Sequence, residues 1–186
     1  MANTTLTGKR VAFLATDGVE PSEYSEPRAA VEAAGARAEL ISPKEGSIQA
    51  VKGMEKAGTF PVDRALSDAR PQEYDALVLP GGVGNPDRLR VDSEAVRFVR
   101  AMYDAGKPIG VICHGPWTLI DADVVKGRTM TSWPSLRTDL INAGAAWVDE
   151  ECHVDAGIVS SRKPADLPAF CAKLVEEIAE GEHYRR

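Results

Sequence analysis

Cysteine is scarce in this chain: only three of its 186 residues are Cys, at positions 113, 152 and 171. An odd, widely spaced set builds no disulfide framework, and no spacing describes a zinc site. A reducing compartment suits such a set. Long apolar runs are also lacking. None approaches the roughly 20 residues a membrane-spanning helix needs, and Met1 to Arg10 holds no hydrophobic signal region. The expectation is a cytoplasmic protein with no membrane partner. Neither sign of charge forms a block: 22 Lys and Arg are interspersed with 28 Asp and Glu, for a net charge of −6. That balance argues against nucleic acid as a partner. Repeats, low-complexity tracts and linkers are absent as well.

What is present is ordinary for a globular chain, with 44% apolar and 27% charged residues. The length suits one domain over 1–186, with 1–8 and 181–186 as flexible ends. Short apolar runs at Val11 to Ala15, Ala76 to Leu79 and Ile109 to Ile112 read as buried strands, and Ala38 to Ile41 reads as a further strand. Helical spacing runs through Ala29 to Ala34, Ser93 to Ala105, Leu136 to Ala143 and Ala165 to Ala179. Gly35, Gly106 and Gly144 are natural stops, and Asp92 or Ser93 is a natural cap. Gly46 to Val62 reads as a small hairpin, and strands are expected at His153 to Asp155 and Gly157 to Ser160. Strands alternating with helices predict a mostly parallel sheet with helices on both faces, a three-layer α/β sandwich.

Cys113 ends the run Pro108-Ile109-Gly110-Val111-Ile112 and is followed by His114-Gly115-Pro116. Pro116 suits the first position of a helix, so the thiol falls on a tight strand-to-helix turn. Such an elbow lifts a nucleophile above the sheet, and a helix N-terminus there is expected to favour the thiolate. His114 is the adjacent base. In an open sheet of this kind the site forms at the carboxyl ends of the strands. Three loops should converge there: Thr16 to Glu23, Gly81 to Asp87 and Cys113 to Pro116. The first brings Asp17, Glu20 and Glu23, whose charges would repel a phosphate. No cofactor and no metal is expected.

The segment Val111-Ile112-Cys113-His114-Gly115-Pro116-Trp117 resembles the nucleophile elbow of the PfpI-type intracellular peptidases, in the ThiJ/PfpI superfamily. Three further segments resemble the family in order: Asp75 to Gly82, Asp139 to Ala145, and Ser160 to Pro168. The resemblance runs from about Arg10 to Val175. It implies a flavodoxin-like fold and a cysteine hydrolase of the peptidase or amidase class, with a stress-response role. Glyoxalase or deglycase chemistry on methylglyoxal or its adducts, and redox sensing through Cys113, are the alternatives.

It also implies site roles. Glu23 matches the family's acid beside the cysteine, and His114 its catalytic histidine. An acid after the Gly-Gly pair orients that histidine from a neighbouring subunit, and Asp87 is the match here. This loop is one residue longer than the family pattern, and Asp stands for the more usual Glu. Such an acid implies a homodimer or larger homo-oligomer acting on a small-molecule or peptide substrate. Beside the resemblance, the backbone N–H groups of Gly82 and His114 can hold an oxyanion, and Gly81 and Gly82 permit close approach. Trp117 either lines the pocket or packs the elbow helix, while Trp133 and Trp147 are read as packing residues. His153 echoes the late histidine of a glutamine amidotransferase triad, but its flanks fit that pattern less well.

Overall fold

The computed structural model describes residues 5–183. In chain order the elements are β1 (Arg10–Leu14), α1 (Pro21–Ala33), β2 (Arg37–Ser42), β3 (Ser47–Lys52), β4 (Glu55–Pro61), β5 (Arg64–Ala65), β6 (Ala76–Leu79), α2 (Gly84–Leu89) and α3 (Ser93–Asp104). There follow β7 (Ile109–Ile112), α4 (Pro116–Asp121), β8 (Thr129–Met130), α5 (Arg137–Asn142), β9 (Ala146–Trp147), β10 (Cys152–Asp155), β11 (Ile158–Ser161) and α6 (Leu167–Glu180).

Seven strands form the main sheet in the order β10-β11-β7-β6-β1-β2-β5. Every pair in it is parallel except the β10–β11 hairpin at one edge. β6 and β7 are buried at every position, which is why their sequences are unbroken apolar runs. On one face α1 and α6 pack over Phe13, Val31, Phe170, Leu174 and Ile178. On the other α3, α4 and α5 cover Leu77, Phe98, Val99, Met102, Leu119 and Leu140. Each such side chain contributes about 1.5–3 kcal/mol through burial. This is the flavodoxin-like three-layer sandwich that the sequence predicts. Chain direction switches between β1 and β6, and the carboxyl ends of β1, β6 and β7 open onto one crevice there. No helix of the described residues is long and apolar enough to cross a membrane.

Asp92 caps α3, accepting from the N–H groups of Glu94 and Ala95 at 2.9 and 3.0 Å. β3 and β4 form the expected hairpin, a separate two-stranded ribbon beside the crevice. Two features differ from the sequence reading. Gly84–Leu89 is a helix where a loop to Asp87 was expected, because Gly84-Asn85-Pro86 carries turn chemistry. The ends are also tied down where they are described. Leu6 is buried and its N–H donates to Ala34 at 2.7 Å. The N–H of His183 donates to Gly106 at 2.7 Å, and its Nε2 stands 3.2 Å from Glu177. The remaining residues expected to be flexible, 1–4 and 184–186, lie outside the described residues.

Candidate active site

Cys113 stands at the end of β7 with φ 61°. For a residue with a Cβ this left-handed conformation costs about 1–2 kcal/mol, and the surroundings enforce it. Its N–H donates to Ser161 at 3.1 Å, and its carbonyl accepts from Trp133 at 3.0 Å. The turn closes through Gly115 N–H to Ile112 at 2.9 Å. This is the strained elbow that the sequence predicts.

Folding it this way brings the neighbouring imidazole back onto the thiol. Cys113 Sγ lies 3.1 Å from His114 Nδ1. Burial lowers the pKa of His114, so the ring is neutral near pH 7, and with its proton on Nε2 the Nδ1 atom accepts from the thiol.

Glu23 comes from the first turn of α1 and is fully enclosed. Its Oε2 accepts from the N–H of Gly81 at 2.8 Å, where it faces Cys113, and its Oε1 is buried with no hydrogen-bond partner among the described residues. Burial pushes its pKa up to about 8, against the pull of the Gly81 N–H. Glu23 therefore holds its proton at neutral pH and can donate it towards sulfur.

Burial, followed by any charge on Glu23, also pushes the Cys113 thiol up. This corrects the expectation of an elbow thiol lowered by a helix N-terminus. The first N–H groups of α4 are already used, Trp117 donating to His114 and Thr118 to Gly115. The groups that favour the thiolate are instead the backbone N–H groups of Gly82 and His114. A protonated Glu23 removes the opposing charge, so the two groups titrate as a pair.

Gly82 sits at φ 77°, and a Cβ there would lie 2.1 Å from the carbonyl of Gly18. A Cβ on Gly81 would lie 2.5 Å from Glu23 Oε2. The Gly-Gly pair is thus required by contact between the loops after β1 and β6. Above the sulfur opens a cleft of ≈ 770 Å³, walled by Glu20, Val51, Lys56, Arg88, Trp133 and Pro164.

The chain that carries this elbow cysteine, histidine and buried glutamate is similar to known proteins. Residues 9–177 match the DJ-1/PfpI family. The chain belongs to that family. A deglycase of Pyrococcus abyssi is 42% identical over 167 residues, covering 90% of this chain and 98% of its own. YraA of Bacillus subtilis, provisionally named a cysteine protease, is 43% identical over 162 residues, covering 87% of this chain and 94% of its own. A crystal structure from Anabaena variabilis joins a DJ-1/ThiJ/PfpI-like domain to a ferritin-like one. It superposes with a TM-score of 0.85 at 31% identity over 91% of this chain, which spans 48% of that longer protein. These two sequence relatives are named as enzymes, under two reaction classes.

The other residues singled out in the sequence fall around this centre. Asp87 lies in the first turn of α2, exposed and outside the cleft lining. Among the described residues the His114 ring has Cys113 Sγ as its one hydrogen-bond partner. Trp117 does not line the cleft. It meets the imidazole edge-on at 5.2 Å and anchors its Nε1–H on Asp139 at 2.8 Å. Trp133, read as a packing residue, is instead a cleft wall, stacked on His114 at 5.9 Å with 24° between the planes. No local pattern marks it, because its position follows from the bond to the Cys113 carbonyl. His153 pairs with Glu150 at 2.8 Å on the edge strand β10 and is not part of the cleft.

Proposed function

We propose that this chain is a cysteine-dependent enzyme of the deglycase and glyoxalase type, acting on α-oxoaldehydes such as methylglyoxal or on their adducts. The observation that carries the reading is one sulfur beside two proton carriers: Cys113 Sγ lies 3.1 Å from His114 Nδ1, and the buried Glu23 carboxyl meets Cys113 at Gly81. Sγ adds to the aldehyde carbon while the thiol proton passes to His114. The carbonyl oxygen takes the Glu23 proton and becomes the hydroxyl of a hemithioacetal. The Glu23 carboxylate left behind takes the aldehyde-carbon proton and delivers it to the adjacent carbon, while His114 gives its proton to the ketone oxygen and takes that of the hydroxyl. That transfer converts the hemithioacetal into a lactoyl thioester. Water then cleaves the thioester, releasing lactate and restoring the thiol.

Aldehyde addition expels no leaving group in its first step. Amide cleavage must also expel and protonate an amine, a step that aldehyde addition does not need. This favours carbonyl chemistry over the peptidase reading. The exposed Asp87 remains suited to reaching the His114 ring of a neighbouring subunit, and a homo-oligomer is part of the proposal.

The test is lactate release from methylglyoxal and from its adduct with N-acetylcysteine, run beside a fluorogenic peptide panel. Lactate formation that disappears in Cys113→Ser supports the reading. Peptide cleavage without lactate overturns it in favour of the peptidase class.

A further inference from the structure

Asn85 is completely buried at the start of α2, and its carboxamide is spent on the two loops that make the site. Its Oδ1 accepts from the N–H of Thr16 at 2.8 Å. Its Nδ2 donates to the carbonyls of Pro80 at 3.0 Å and Gly81 at 3.1 Å. These two carbonyls belong to consecutive trans peptide units. In a trans unit the N–H points opposite to the C=O, and the plane is rigid. The N–H paired with the Pro80 carbonyl is that of Gly81, which donates to Glu23 Oε2 at 2.8 Å. The N–H paired with the Gly81 carbonyl is that of Gly82, which favours the Cys113 thiolate. One side-chain amide therefore grips two peptide planes from behind, and their front edges meet the acid and the thiol.

We infer that Asn85 is a positioning residue that aims the Gly81 and Gly82 N–H groups at the Glu23–Cys113 pair and so sets how the pair shares its proton. Donation to the two carbonyls also polarises the peptide units, strengthening their N–H groups as donors. The Thr16 bond locks the same amide to the end of β1, so the loops after β1 and β6 cannot drift apart. The inference rests on Cys113 as the nucleophile but not on a particular substrate.

Asn85→Asp keeps the acceptor for Thr16 and loses both donors, while Asn85→Ala loses all three bonds. The measurement is the pH profile of Cys113 alkylation by iodoacetamide, followed by peptide mapping, with circular dichroism checking the fold. Loss of the aimed donors should move the midpoint upward by about one unit, tenfold in thiolate fraction at a given pH. It should also lower kcat for lactate formation about tenfold or more with KM within about twofold, since donors aimed at developing charge act in the transition state. An unchanged midpoint in a folded variant overturns the inference.

The unaltered protein supplies a second readout independent of variant folding. In an NMR pH titration the Asn85 side-chain amide should follow the same midpoint as the Gly81 and Gly82 N–H signals. In Cys113→Ser all three midpoints should move together, to the value of Glu23 without the thiol. Glycine signals that titrate while Asn85 stays still would also overturn it. If alkylation midpoints shift but no lactate forms in the unaltered protein, the positioning role stands and the deglycase reading falls.

Discussion

The Glu23 carboxyl keeps its proton up to about pH 8 in the folded chain, against an ordinary value of 4.5. Between those values the folded state binds a proton that the unfolded state has released. Stability must therefore fall as pH rises through this window, by at most about 1.4 kcal/mol per unit for one group. Glu23→Gln removes the titration. Its urea midpoint, compared with that of the unaltered protein, should gain steadily from pH 5 to pH 8. A constant difference would show that Glu23 ionises in the folded state as it does in water. The thiols give a second residue-level prediction. Burial pushes Cys152 and Cys171 up to about 11 each, and among the described residues neither sulfur is hydrogen-bonded to a histidine. Cys113 is also raised, but a neutral imidazole stands 3.1 Å from it. Limited iodoacetamide at pH 7 should label Cys113 first, and equal labelling of all three would contradict the assisted thiol.

At the level of elements, β7 and α6 meet where Gly110 has no side chain. A Cβ there would lie 2.7 Å from Leu174 Cδ1 and 3.1 Å from Phe170 Cζ. Gly110→Ala should cost about 1–3 kcal/mol by overpacking. Combining it with Leu174→Ala should cost less than the sum of the two single changes, because the truncated side chain vacates the contested space. Strict additivity in thermal melts would refute this contact. Elements such as β7 were legible in the sequence because a strand buried on both faces must be apolar throughout. The Asp92 cap was legible because capping is local. The two-residue strands β8 and β9 are too short for any period to register. α2 was hidden by Gly84 and Pro86, and with it Asn85, whose partners are Thr16, Pro80 and Gly81. Cys113, His114, Glu23 and the Gly-Gly pair were found at the site. The thiol's shift was not legible, because the turn is local whereas the burial that raises the thiol is made by distant segments, with the Glu23 charge second.

Across the whole molecule, charge is arranged differently at the two ends of the sheet. The amino ends of the strands hold a network in which buried Glu39 meets Arg10 at 3.0 Å, Arg37 at 3.1 Å and the Tyr74 hydroxyl at 2.8 Å. The carboxyl ends hold the strained elbow and the enclosed carboxyl. The division separates what secures the sheet from what reacts. Asp87 is exposed on α2, outside the cleft lining. If the proposed oligomer completes the site, Asp87→Ala should lose activity while keeping its Cys113 alkylation rate. Mixing it with Cys113→Ser subunits should restore activity through interfaces that pair an intact Cys113 with an intact Asp87. Sedimentation should show activity disappearing with dissociation. Full activity in a strictly monomeric fraction, or in Asp87→Ala alone, would reject the shared site.

The two indoles that flank His114 make the site visible to light. A protonated imidazole accepts electron density from an excited indole and quenches its emission, whereas a neutral one does so weakly. Trp133 is stacked on the ring with centroids 5.9 Å apart, and Trp117 meets it edge-on at 5.2 Å. The intrinsic fluorescence should therefore dim as acid protonates His114, at a pH below the ordinary histidine value of 6.5 because burial disfavours the cation. His114→Gln should flatten that curve. A ligand entering the cleft would displace solvent from the face of Trp133 and shift the emission to the blue. Substrate binding could then be followed in unlabelled protein, before any product forms.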